Sequence, residues 1–345
     1  MNRERDIAAN TIQYQQVTKR FHRDLPPAVD RVSLEVAAGE LVVLLGPSGA
    51  GKTTLIKMVN RLYEPTSGRI YVHGSEIHDL PVNDLRRGIG YVIQQAGLFP
   101  HMSIEQNIAV VPELLKWDRR RIDQRIDELL TLVGLPLSYR KRRPRQLSGG
   151  EQGRVGLARG LAADPPILLM DEPFAALDAI NRTHLQSELL RIQERLHKTI
   201  LFVTHDVEEA LRLADRIAIL RHGRLVQNDT PWGILSRPEN DFVRELVGAD
   251  DVLRRLSLVK VEDVVARRSV GKGRFSPKGS EAPASGLPVV IAPEDNLRTA
   301  LSRLLASADG AVSVVGEDGW RMGSITLADI RNELAGQSDA SATGA

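Results

Sequence analysis

The 345-residue sequence contains no cysteine. Disulfides, thiolate nucleophiles and thiolate metal sites are therefore excluded, and the chain suits a reducing cytoplasm. Long apolar runs are missing too. The most apolar stretches, such as Leu41 to Leu45 and Ile167 to Met170, fall far short of the roughly 20 residues that a membrane-spanning helix needs. If the protein works at a membrane, another subunit must cross it. The start, Met1 to Asp6, is charged and lacks the apolar core of a secretory signal. Nor is there a marked excess of one charge: 46 Lys and Arg stand against 44 Asp and Glu, a formal net charge of +2. Bulk charge thus gives no reason to expect nucleic acid as partner. What remains is ordinary for a globular protein, with 42% hydrophobic and 26% charged residues. At roughly 150 residues per domain the length suggests about two domains.

From about residue 11 to 248, short β-rich runs alternate with amphipathic stretches. Leu41 to Leu45, Ile89 to Ile93, Ile167 to Met170, Ile200 to Thr204 and Ile217 to Leu220 read as strands, and such alternation predicts a largely parallel, covered sheet. Ile122, Ile126, Leu129, Leu130 and Val133 recur at helical spacing, so Ser103 to Leu135 reads as part of an inserted helical piece. Leu185, Leu189, Ile192 and Leu196 mark another helix. A Gly-, Ser- and Pro-rich stretch follows, expected to be a flexible loop over about 267–286. Beyond it, Val289 to Ile291, the periodic Leu297 to Leu305, Val312 to Val315, a Glu317-Asp318-Gly319 turn, Met322 to Ile325 and a last helical stretch predict β-α-β-β-α. Residues 336–345 read as a disordered tail.

The strongest chemical signal is Gly46-Pro47-Ser48-Gly49-Ala50-Gly51-Lys52-Thr53, which follows the apolar run Leu41 to Leu45 and opens a segment with Leu55, Met58 and Val59 on one face. Strand, glycine loop and helix form the context of a phosphate-binding loop. Glycines let backbone N–H groups curl around phosphate at a helix N-terminus without side chains in the way. Lys52 is expected to reach the β- and γ-phosphates, and the Thr53 hydroxyl to ligate Mg²⁺. A second apolar run ends in Asp171-Glu172. The first acid is placed to face Mg²⁺, directly or through water, and the second to polarise an attacking water.

Leu147-Ser148-Gly149-Gly150-Glu151-Gln152, with Arg154 close behind, resembles the signature motif of the ATP-binding cassette (ABC) ATPases. Gln94 matches that family's Q-loop, Asp178 its D-loop and His205 its switch histidine, and the order of the motifs is the family's. The resemblance spans residues 11–248, with the helical subdomain at about 97–160. It implies a P-loop NTPase of the α/β class with N-terminal antiparallel strands. It also implies a site closed by a second copy. Ser148, Gly149, Gly150 and Asp178 would meet nucleotide held by the partner's Gly46 to Thr54, so the chain would act as a homodimer. In this reading Glu172, His205, Gln94 and Lys52 are catalytic, and Thr53, Gln94 and Asp171 hold Mg²⁺. Phe21 would stack on adenine, with Tyr14 as the alternative. Gly153 departs from the glutamine usual at that place.

Ile89 to Gln95, Leu98 to His101, Ile108 to Leu114 and Arg237 to Val243 are similar to importer ATPases for quaternary ammonium osmoprotectants (glycine betaine, carnitine, choline). The resemblance implies permease subunits and an extracytoplasmic binding protein as partners, at the cytoplasmic face of the inner membrane. Other importers, for instance of amino acids, and soluble ABC ATPases are the competing readings. Leu287 to Leu334, within a small α/β CBS-like region at 250–335, resembles a regulatory CBS motif, with Gly323 to Asp329 similar to its adenosine-binding stretch. Only one motif is found, with Val261 to Val265 a detached opening strand or helix, so copies from two chains would pair. A region of this kind would sense ionic strength or a nucleotide. The basic run Arg140 to Arg145 reads as a solvated face, and Arg267, Arg268, Lys272, Arg274 and Lys278 as a solvated linker or a contact for anionic lipid.

Overall fold

The computed structural model describes residues 12–93, 97–175, 177–271, 290–306, 310–316 and 319–339. The chain divides into two units, Met1–Val247 and Gly248–Ala345.

The first unit opens with β1 (Ile12–Lys19), β2 (Val29–Val36) and β3 (Leu41–Leu45), followed by α1 (Lys52–Val59), β4 (Ser67–Val72), β5 (Ser75–Glu76), α2 (Val82–Arg87) and β6 (Ile89–Val92). A helical stretch comes next, with α3 (Ile104–Leu114), α4 (Arg119–Leu132) and α5 (Gly149–Leu161). The unit closes with β7 (Ile167–Asp171), α6 (Ala179–Leu196), β8 (Thr199–Thr204), α7 (Val207–Leu213), β9 (Arg216–Arg221), β10 (Arg224–Asp229), α8 (Pro231–Ser236) and α9 (Asp241–Val247).

Two sheets result. The strands β2-β1-β4-β5 form an antiparallel sheet, and β10-β9-β3-β8-β7-β6 a larger one, parallel except for the β10 edge. β3, β7 and β8 are buried along their whole length, which is why they read as unbroken apolar runs rather than alternating ones. Residues of both sheets and of α1, including Ile12, Val36, Leu44, Ile56, Leu169 and Val203, share one core. Register then decides where chemistry can happen. Leu45 pairs with Thr204, and Asp171 with Val203, so three strands end level. The residues that follow them, Gly46, Glu172 and His205, meet at the carboxyl edge of the sheet, where open α/β sheets bind ligands.

Within the helical stretch, a capping box joins Ser103 and Gln106 at the start of α3, and the Asp118 carboxylate caps α4 by accepting from Arg121 N. Three residues of the basic run make contacts within the helical stretch, while Arg143 and Arg145 are exposed. Arg140 donates to Glu105, Asp123 and Asp127 at 3.1, 2.6 and 2.9 Å, Lys141 to Glu105 at 2.5 Å, and the Arg142 guanidinium stacks over Tyr139. Among the described residues no helix is long and apolar enough to cross a membrane.

The second unit comprises α10 (Val252–Ser257), α11 (Val261–Gly271), β11 (Val290–Ile291), α12 (Leu297–Ala306), β12 (Ala311–Val315), β13 (Arg321–Thr326) and α13 (Leu327–Asp339). Its sheet runs β11-β12-β13, parallel then antiparallel. Ile291, Val312, Val314 and Ile325 are buried on one face. The other carries Val290, Ser313, Ser324 and Met322, of which Val290 and Met322 are exposed. Two expected boundaries move. α11 runs through Gly271, five residues into the expected loop, because no glycine or proline interrupts it earlier; residues 272–289, with Lys272, Arg274 and Lys278, lie outside the described residues. α13 reaches Asp339, four residues into the expected tail, since nothing after Gly336 breaks a helix as proline would; residues 340–345 lie outside the described residues.

Candidate functional site

The loop between β3 and α1 has its shape enforced by its surroundings. A Cβ on Gly46 would stand 2.2 Å from Leu220 O, and one on Gly51, whose φ is +101°, 2.5 Å from Ala28 O. Neither position tolerates a side chain. Pro47, Ser48 and Gly49 are exposed and Ala50 is buried, so the loop's crown faces solvent while its base is anchored. Gly51 caps α1 without a side-chain bond, which leaves the first N–H groups of that helix available to an anion.

Lys52 is buried, and its Nζ donates to Gly46 O at 2.6 Å and Pro47 O at 3.0 Å. Burial lowers its pKa, and the nearby Glu172 and Asp171 carboxylates oppose that shift. Thr53 Oγ1 donates to Asp171 Oδ1 at 3.0 Å. Asp171 is itself buried, and burial raises its carboxyl pKa above the ordinary value, against the hydrogen bond from Thr53. A hydroxyl and a carboxylate joined in this way form a hard-oxygen pair suited to Mg²⁺. Glu172 has a left-handed backbone, φ +47°, an uncommon conformation for such a residue that tertiary contacts must hold. Its N–H donates to Val203 O at 3.0 Å. His205 Nδ1 lies 3.2 Å from Glu172 Oε1.

The loop therefore lies with both acids and with the histidine. The signature stretch is separate in its construction. Ser148 caps α5 through a capping box with Glu151. Tyr139 Oη donates to Glu151 at 3.0 Å, and the bond from Ser148 N leads the contacts that hold the Glu151 carboxyl below its usual range. Ser148 and Gly149 are exposed, with open space where a Gly149 Cβ would stand. A Cβ on Gly153 would meet Leu177 at 3.9 Å, an ordinary van der Waals contact, so a side chain begins there without a clash. Asp178 is also exposed. Gln94 lies outside the described residues. A cleft of about 1070 Å³ between α4 and α6 is lined by none of these groups.

For the aromatic position the structure separates the two candidates. Tyr14 is only 2% exposed and donates to Leu55 O at 3.2 Å. It is a core residue and presents no face to a ligand. Phe21 is 49% exposed, edge-on to Tyr63 at 5.2 Å and with Lys19 Nζ 5.0 Å over its ring.

A family profile described as ABC transporter matches residues 29–175. The chain is 44% identical to the osmoprotectant import ATP-binding protein OsmV of Salmonella typhimurium, over 94% of this chain and 96% of that one. The chain belongs to the ATP-binding subunits of ABC transporters. It is also 47% identical to the glycine betaine uptake system ATP-binding protein YehX of Escherichia coli, over 92% of this chain and 98% of that one. Among solved structures it resembles the dimeric post-hydrolysis state of the ATP-binding cassette MJ0796 with ADP and Pi, at TM-score 0.58 and 33% identity over 64% of this chain and 98% of that one. As a member of this family the subunit is an ATPase, and it binds ATP.

Sequence reasoning missed two groups in this ABC ATPase. Tyr63 lies 42 positions beyond Phe21, and no local pattern links them. Tyr91 precedes the Q-loop. Its buried Oη has no hydrogen bond of good geometry, yet burial and then the Asp171 charge push its phenol pKa upward. The raised Asp171 pKa has a testable sign. The folded chain holds a proton at this carboxyl more tightly than the unfolded chain does, so stability is full below the ordinary aspartate range and is lost as pH rises through the folded pKa. Asp171→Asn removes that cost. The nucleotide-free variant should melt above wild type at neutral pH, with the gap closing in acid, while ATPase activity is lost; equal melting curves at all pH values would refute the burial cost.

Proposed function

We propose that this ATPase powers import of a quaternary ammonium osmoprotectant (glycine betaine, choline or carnitine). It would work as a homodimer on the cytoplasmic face of the inner membrane, bound to transmembrane permease subunits that receive solute from an extracytoplasmic binding protein. The observation that carries this reading is near-full-length identity of 44% and 47% to two such import subunits.

In the hydrolytic cycle, Lys52 and the backbone N–H groups between Gly46 and Thr54, Pro47 having none, hold the nucleotide's phosphates, and Phe21 stacks on its base. Thr53 and Asp171, joined at 3.0 Å, and Gln94 would hold Mg²⁺, which would neutralise charge on the phosphates. Glu172 takes the proton of the attacking water, and His205 fixes the Glu172 carboxylate. Ser148, Gly149, Gly150 and Asp178 of a second copy close the site; the exposure of Ser148, Gly149 and Asp178 supports that role.

The second unit is assigned to regulation. The Thr326 hydroxyl and N–H both donate to Asp329 Oδ2, at 2.7 and 2.8 Å, a closed capping box at the stretch that resembles an adenosine site. The largely uncharged sheet face with Val290 and Met322 exposed suits pairing of two copies, and the pair would gate transport with ionic strength. One uptake experiment tests both parts. Cells relying on this system should accumulate labelled glycine betaine, choline or carnitine in competition with one another, and removal of residues 248–345 should leave uptake that no longer changes with salt. Accumulation of none of the three solutes would sink the substrate assignment, and an unaltered salt response would sink the regulatory one.

A further inference from the structure

We propose that Arg182 is a positioning residue, the tie that keeps the loop of Glu172 and the loop of His205 in register for hydrolysis. The proposal rests on the roles given above to those two residues.

Glu172 and His205 follow adjacent parallel strands, β7 and β8, and lie on separate loops. Their own contact is one 3.2 Å approach between a carboxylate and a histidine that is 59% exposed. Arg182, in the first turn of α6, supplies a second link. Its Nη2 donates to Leu177 O at 3.2 Å, and its Nη1 to Asp206 Oδ2 at 3.1 Å. Leu177 ends the turn that begins at Glu172, in which Ala175 N donates to Glu172 O and Leu177 N to Phe174 O. Asp206 directly follows His205, and its other oxygen caps α7 by accepting from Glu208 N and Glu209 N.

The residue before His205 is fixed as well. Thr204 Oγ1 donates to buried Glu209 at 2.6 Å and accepts from Asp206 N at 3.0 Å. Glu209 also accepts from Gln186 Nε2 at 3.3 Å, and its Oε1 lies 3.8 Å from Arg182 Nε, which has no hydrogen bond. Both neighbours of His205 in the chain are thus held by one network, and Arg182 carries that network across to the Glu172 turn. The planar guanidinium directs two bonds in fixed relation, which an ammonium cannot reproduce. Hydrolysis depends on sub-ångström placement of base and water, so the tie should act on turnover and not on ATP binding.

Steady-state ATPase of the assembled transporter tests this with Arg182→Lys, Arg182→Met, Asp206→Asn and the Arg182→Met/Asp206→Asn double variant. Asn keeps the helix cap but not the charge. Each single variant should lower kcat about tenfold with KM for ATP within about twofold, Lys should fail to rescue, and the double variant should be no worse than the poorer single one. Arg212→Ala is the control. It removes bonds to Gln186 and Ser187 on α6 but leaves the Gln186 Nε2 bond to Glu209 and both Arg182 bonds in place, and kcat should stay within about twofold. Wild-type kcat in both Arg182 variants, beside an inactive Glu172→Gln, overturns the tie alone. Additive losses matched by Arg212→Ala also overturn it, since they would reflect only packing of α6 on α7. An active Glu172→Gln overturns the base assignment and the tie together.

Discussion

Glu172→Gln should reduce ATP turnover by about 10²- to 10⁴-fold, the usual contribution of a general base, and should trap an ATP-bound dimer that persists through gel filtration. The substitution is nearly isosteric, so the backbone bond from Glu172 N to Val203 O and the left-handed φ of +47° remain available. What changes is proton affinity: an amide accepts a hydrogen bond but does not take a proton from water. The 3.2 Å approach of His205 Nδ1 can persist with the amide oxygen, which separates loss of the base from loss of placement. Nucleotide binding should be unimpaired, because Lys52, Thr53 and the loop N–H groups are untouched. Removing a carboxylate beside Asp171 also lightens repulsion of the phosphates, which favours the closed dimer. Light scattering with ATP and Mg²⁺ would report the dimer, and full turnover in the variant would refute the role of Glu172.

Much of this site was legible because its chemistry is local. Gly46 to Thr53 and Asp171-Glu172 are contiguous words whose strand context can be read from apolar runs of four or five residues. Those runs were visible because β3, β7 and β8 are buried on both faces. Their ends were less so. The run read as Ile89 to Ile93 stops at Val92, with Ile93 exposed beyond it, and β7 extends to Asp171 itself. Strand order was not legible at all. Nothing in the sequence says that β3 lies between β9 and β8, and that order is what brings Gly46 beside His205. Tyr14 and Phe21 show the same limit. Both are aromatic residues near the start, and only packing buries one and exposes the other. Arg182 is the extreme case: a single arginine on a helix has no periodicity or motif to mark it, and its meaning comes from two carbonyl and carboxylate oxygens contributed by separate loops.

Lys52→Ala should weaken ATP binding by roughly tenfold to a hundredfold, the loss of a charge-assisted hydrogen bond being worth about 1.5–3 kcal/mol. Its Nζ is already organised by Gly46 O and Pro47 O, at 2.6 and 3.0 Å, so the ammonium waits at the loop and needs little reordering to meet phosphate. Its burial makes the charge felt strongly, since the field of a buried cation is less screened than that of a surface lysine. Two carboxylates close by, Asp171 and Glu172, oppose the pull of burial on its pKa and favour the charged form. Without that cation the same two acids face the phosphates uncompensated, so the loss should fall toward the upper end of that range and should grow at low ionic strength. Alanine also removes the Lys52 donor from both loop carbonyls, of which Pro47 O keeps Ala50 N at 3.2 Å. Lys52→Met removes the charge while keeping length and bulk, and it should lose affinity to a similar extent if charge is the cause. Fluorescence titration with a labelled ATP analogue on protein of unchanged melting temperature measures both variants. Wild-type affinity in either one would contradict the phosphate role of Lys52. The proposed homodimer adds one further expectation: a mixed dimer holding one Lys52→Ala copy should lose binding at that copy's loop alone, because in that proposal the Ser148 and Gly150 facing it would come from the other chain.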